Sequence, residues 1–240
     1  MMRSPLRPAL AMVELIFAIA IMGIVMMSAP TLVNTAQKST VVAIKQESIH
    51  EAAARLNMIL TYAWDEHDTN DSCAPPILGV NHGAAALNEN GTTARRIGSP
   101  LQSPYRTFLC GGTRYNASTT LGLDTNESNT SQADDIDDFI GSTGLVSEGS
   151  GGNSGADYLE KDTVNITTAV SYIDDNATYN TSTIAYTPGA ALSASQTSNI
   201  KKISVTLTST SSSSALTKSI KLTAFSCNIG GVKFEPKVIP

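Results

Sequence analysis

Nineteen consecutive residues, Leu15–Val33, carry no charge, and between Leu10 and Val33 the only ionisable side chain is Glu14. As a helix rising 1.5 Å per residue, this run spans roughly 28 Å, close to the hydrocarbon thickness of a bilayer. Arg3 and Arg7 precede it, with no acidic residue before Glu14. Basic flanks stay on the cytoplasmic side, so the sequence predicts one crossing of an inner membrane, the N-terminus inside and the remainder exported. Membrane lipid is the first partner implied.

The rest of the chain has another character. Of its 240 residues 41% are hydrophobic, but only 5% are aromatic and 15% charged. That mixture is too apolar for wholesale disorder and poor in charge for a cytosolic enzyme. A net charge of −5 argues against a nucleic acid partner, which would need a basic surface to neutralise phosphates. The three cysteines, Cys73, Cys110 and Cys227, all follow the apolar run. Export permits one disulfide, and the pair nearest in sequence, Cys73–Cys110, is the expected one, leaving Cys227 over.

Glu14 separates this segment from an ordinary anchor, because a carboxylate inside lipid costs about 2.5–3.5 kcal/mol even on a lenient insertion scale. It must lie near an interface, be paired, or both. The stretch from Pro8 to Val25, PALAMVELIFAIAIMGIV, resembles the N-terminus of type IV pilins and type II secretion pseudopilins. In that family a short basic leader is removed and a glutamate is the fifth residue after the cut. The resemblance implies cleavage between Ala9 and Leu10 by a prepilin peptidase, and N-methylation of Leu10. Ala9 stands where the family usually has glycine and Leu10 where it has phenylalanine. Gly23 and Pro30 fall close to the family's helix glycine and proline. The family further implies that Glu14 neutralises a neighbouring subunit's new amino terminus during assembly. It also implies other pilin or pseudopilin subunits and an inner-membrane assembly platform as partners.

Beyond Pro30, which is expected to bend the helix, an apolar stripe continues through Ile49, Ala52, Leu56, Ile59, Leu60 and Ala63. Val42, Ile49, Leu56 and Ala63 repeat by sevens. The helix should end near Asp65, ahead of a polar run and Pro75-Pro76. Period-two alternation predicts strands in 164–174, 203–207 and 220–225, with 182–187 as a fourth candidate. The fold class expected is therefore α+β: a long N-terminal helix, its first half transmembrane, packed on a C-terminal antiparallel sheet. The organisation reads as a leader at 1–9, a transmembrane half at 10–33 and an exported amphipathic half at 34–65. A loop-rich region at 66–162 and a sheet region at 163–240 follow.

Chemistry-bearing motifs are sparse. Asp134, Asp135, Asp137 and Asp138 are calcium candidates by their clustered carboxylates, but they lack the glycine and terminal glutamate of an EF-hand loop, and a solvated acidic turn is the commoner arrangement. His50, His67 and His82 form no closely spaced pair with each other or with cysteine, so no zinc site is assigned. The glycine-rich stretch at 149–155 reads as a connector. Asn70, Asn126, Asn129 and Asn176 occur in Asn-x-Ser/Thr with an acidic residue two positions earlier, the pattern of an acidic glycosylation sequon. Lys201, Lys202, Lys218, Lys221, Lys233 and Lys237 gather near the C-terminus and read as a solvated strand face or a contact with a neighbour's acidic loop. No catalytic residue and no cofactor are assigned. The sequence favours a structural filament subunit, a minor pilin or pseudopilin; the other reading is a membrane-tethered adhesin or ligand-binding module.

Overall fold

The structure, a computed structural model, describes residues 6–69, 73–74, 76–90, 93–97, 99, 106–125, 127–144, 164–179, 181–209 and 219–231, of which 6–10, 90 and 144 by backbone alone. The glycine-rich stretch, the serine run after Ser209, Lys218, Lys233, Lys237, Asn70 and Asn126 lie outside the described residues. The chain divides into two units, Met1–Glu47 and Ser48–Pro240. Helix α1, Leu6–Ile59, runs through both and contains Pro30. Its 54 residues measure about 80 Å along the axis.

In the first unit every side chain from 11 to 39 is exposed, including Met12, Ile16, Phe17, Ile21, Met26 and Leu32. Among the described residues none covers this surface, and the helix is long and apolar enough to cross a membrane. Its hydroxyl groups are turned back on the helix. Ser28 donates to the Val25 carbonyl, Thr31 to that of Ser28, Thr35 to that of Thr31 and Thr40 to that of Ala36. Such bonds satisfy polar side chains where water is absent.

The second unit is built on a four-stranded antiparallel sheet in the order β5-β6-β7-β8. Two short hairpins come first in the chain: β1 (Glu89–Asn90) with β2 (Arg95–Arg96), and β3 (Leu109–Cys110) with β4 (Thr113–Arg114). Gly111 and Gly112 form the two-residue turn of the second hairpin, both at positive φ, the geometry that glycine adopts without strain. The sheet strands are β5 (Gly141–Gly144), β6 (Val164–Tyr172), β7 (Ile200–Ser209) and β8 (Ile220–Cys227). The last three are where the alternation predicted them. The fourth is not: 182–187 forms no strand, Ile184 and Tyr186 are exposed, and the free edge of β6 is taken by β5 instead.

Register fixes which side chains share the core face. Val170 pairs with Ile203, Thr168 with Val205 and Ile166 with Leu207, and all six are buried. The last turns of α1 cover this face. Ile59 is fully buried against Val170, Tyr172 and Ile203, Leu56 packs beside it, and Arg55 donates to the Thr168 and Thr143 hydroxyls. Ser48 and Ala52 are buried as well. Ala52, Leu56 and Ile59 of the expected stripe do meet the sheet, whereas Val42, Ile49 and Leu60 face outward. A helix on one sheet keeps its natural 3.6-residue period, so Ser48 and Arg55 join Ala52, Leu56 and Ile59 on the inward face, and a strict seven-residue repeat drifts off it.

The helix also stops six residues short of Asp65. After Ile59 the turn tightens, with Thr61 N–H bonded to the Met58 carbonyl and Tyr62 N–H to that of Ile59. Ala63 then forms a parallel bridge with Asp135, and the Ile136 N–H donates to the Ala63 carbonyl. This drops Trp64 and Asp65 into the interior. Cys73 and Cys110 are joined, Cα to Cα 5.7 Å, and tie the segment after the helix to β3; Cys227 is free and exposed.

Candidate functional site

Two regions carry chemistry, one in each unit. Ala9 and Leu10 lie within α1, so the expected cleavage point is helical in this chain. One turn on, Glu14 is exposed between apolar neighbours, and among the described residues none forms an ion pair with it. A Cβ added to Gly23 would meet nothing within 4 Å. The glycine thus packs against none of the described residues, although it lowers helix stability by about 1 kcal/mol relative to alanine. Pro30 lacks an N–H, which removes a donor from the Met26 carbonyl one turn earlier.

The second region centres on Lys201, a fully buried lysine at the start of β7. Its three ammonium protons have three acceptors: the Trp64 carbonyl at 2.7 Å, Asp65 Oδ2 at 3.2 Å and Asp137 Oδ1 at 2.5 Å. The ammonium also lies 4.8 Å from the Trp64 ring centre and 5.4 Å from that of Tyr172. Burial works against its charge, but Asp137, Asp65 and Asp135 together hold its pKa above the ordinary lysine value. Asp65 is held in turn by the Ser118 N–H and the Tyr172 hydroxyl, which also donates to the Ser118 carbonyl at 2.8 Å. Burial, then the nearby Asp65 and Asp137, push the Tyr172 hydroxyl far above its ordinary value, so it stays a donor.

The acidic run is thus not a solvated turn. Asp135, Asp137 and Asp138 are buried and only Asp134 is exposed. Asp135 Oδ1 accepts from the N–H groups of Asp137 and Asp138, and Asp137 Oδ2 from that of Gly122. Asp138 Oδ2 accepts from Asp134 and Asp135, each at 3.0 Å. Burial first, then Asp137, raise the Asp135 pKa to about 8. Burial and Asp65 raise that of Asp68 to about 7. Burial, then Asp134 and Asp124, do the same for Glu66, also to about 7. The reading of Lys201 as part of an exposed basic face is corrected, while Lys221 is exposed as expected.

The signal for Lys201 was present in the strand. Positions 201, 203, 205 and 207 share one face, so a lysine two residues before Ile203 extends the core row and requires a buried counter-charge. Its partners Asp65 and Asp137 carried no comparable mark. Glu66, Asp124 and Glu127 also join the acidic group through contacts that sequence reasoning missed. His50, His67 and His82 are all exposed, with His67 Nδ1 3.3 Å from Asp65. Asn129 and Asn176 are exposed, as a modified asparagine would have to be. No family model, curated protein or solved structure matches this chain.

Proposed function

We propose that this chain is a structural subunit of a type IV pilus-like or type II secretion-type filament, a minor pilin or pseudopilin made as a prepilin. The observation that carries the reading is the exposed, predominantly apolar helix surface of residues 11–33, with one carboxylate, Glu14, near its start. Before assembly, lipid can solvate such a helix. In a filament, identical helices from neighbouring subunits can replace that lipid. Glu14 makes the exchange selective. Cleavage after Ala9 creates an amino group on Leu10, and a neighbour's Glu14 in register with it gains a counter-ion. A subunit out of register leaves a charge unpaired among apolar side chains, so the pair acts on alignment more than on net stability. Gly23, which packs against none of the described residues, offers a close approach to another helix. Removal of Arg3 and Arg7 with the leader detaches the basic flank from the cytoplasmic face. Nothing in this role calls for catalysis by the subunit, which depends on prepilin peptidase for maturation and on an inner-membrane platform for extrusion.

Mass spectrometry of the protein from its native cell tests the first step: the expected N-terminus is methylated Leu10, and an intact leader would refute it. Glu14→Leu tests the second. The variant should remain in the membrane fraction and be absent from sheared filaments, whereas wild-type incorporation would end the pairing argument.

A further inference from the structure

Lys201 draws Asp65 and Asp137 inward, and the remaining carboxylates of the same loop gather at its outer side. Glu127, Asp134 and Asp138 each bring a carboxylate oxygen within 4.8 Å of the others. Glu66, from the turn after α1, lies within hydrogen-bonding reach of Asp134 and Asp124. The charged neighbours acting on Glu66, Glu127 and Asp134 are themselves carboxylates. Crowding of this kind is unfavourable unless protons or a cation offset it.

A second observation points to the cation. Asp138 is 1% exposed, and while its Oδ2 accepts two backbone N–H bonds, its buried Oδ1 has no hydrogen-bond partner among the described residues. Buried acceptors are rarely left so, because the lost hydration is not replaced. Three carboxylate oxygens within 4.8 Å of one another can lie around one cation, because ligands on opposite sides of calcium stand about 4.6–5.2 Å apart. A set made of several protein carboxylates suits calcium, which takes six to eight oxygens in flexible geometry, better than magnesium, which keeps most of its waters.

We propose that Glu127, Asp134 and Asp138, with Glu66 and Asp124 at the rim, form a calcium-class divalent cation site that ties the 124–138 loop to the turn ending α1. Asp137 is excluded from it because it binds the lysine, and Asp135 because its Oδ1 accepts from the Asp137 and Asp138 N–H groups. The ion would give Asp138 Oδ1 its missing partner and cancel the repulsion among the rim carboxylates. The site is independent of filament assembly, since ion binding is read on the purified chain whether or not that chain enters a fibre.

The test is thermal unfolding of the full chain in non-ionic detergent, stripped with EDTA and followed by the fluorescence of Trp64, its sole tryptophan. Calcium chloride at a hundred times its dissociation constant should raise the midpoint by roughly 5–10 °C, and magnesium chloride by much less. Glu127→Gln combined with Asp134→Asn should abolish the shift while leaving the metal-free midpoint at or above that of the wild type, because two repelling charges are gone. Asp138→Asn should also abolish it, but its buried position endangers the fold, so the more accessible pair carries the test. No calcium shift in the wild type, an undiminished shift in the double variant, or an equal response to magnesium would overturn the proposal.

Discussion

Replacing Lys201 by methionine removes a charge from the centre of the second unit while keeping most of its volume. Asp137 Oδ1, Asp65 Oδ2 and the Trp64 carbonyl each lose a donor. Each orphaned buried acceptor costs about 1–3 kcal/mol, although Asp65 keeps Ser118 and Tyr172 and Asp137 keeps Gly122. Breaking a buried pair by removing one partner costs about 3–5 kcal/mol, and that is the loss expected near neutral pH. A domain of ordinary stability, about 5–15 kcal/mol, would lose a third or more. The loss should depend on pH in a definite sense. Lys201 lowers the pKa values of Asp135 and Asp137, so without it both bind protons more tightly in the folded state. Carboxyls with raised folded pKa values stabilise at low pH and lose that contribution as pH rises through the folded value. The difference between variant and wild type should therefore be small at pH 5 and largest at pH 8. Urea unfolding followed by Trp64 fluorescence measures it, because Trp64 is 7% exposed and lies against the lysine. Adding Asp137→Asn to the variant should recover about 1–2 kcal/mol at pH 8. A loss below about 1 kcal/mol at pH 8, or the same loss at pH 5, would refute the assignment of Lys201 as the charged hub.

Other predictions concern the remaining long-range ties. With Asp135 raised to about 8 and Asp68 and Glu66 to about 7, the metal-free wild-type midpoint should fall between pH 5 and pH 8.5 in EDTA, and a flat or rising profile would contradict those burials. Asn228, buried after β8, accepts from the Leu78 N–H at 3.0 Å and donates to the Leu78 carbonyl at 2.8 Å. Asn228→Ala should cost about 2–3 kcal/mol in urea unfolding, with Asn228→Asp no better, because one of the two bonds needs a donor. Replacing both Cys73 and Cys110 by serine opens a loop with a sequence separation of 37 and should cost about 2–4 kcal/mol, a loss that reducing agent should reproduce in the wild type. Arg55→Leu removes the donor to the buried Thr168 hydroxyl and should cost about 1–2 kcal/mol without altering membrane retention.

What this sequence determined by itself is what repeats locally. The exposed apolar helix around Glu14 and the strands at 164–172, 200–209 and 220–227 follow from spacing of one, two or a few turns along the chain, because burial on one face imposes the periodicity of that element on its residues. The tertiary structure decided the rest. It set the stripe of α1 that meets the sheet, gave the edge of β6 to Gly141–Gly144, and divided one acidic run between a buried lysine and an outward carboxylate group. The last of these depends on charges contributed by Asp65, Asp137 and Lys201, up to 136 positions apart. Electrostatic pairing and strand-edge closure act through space, so no window along the chain contains the information that selects them.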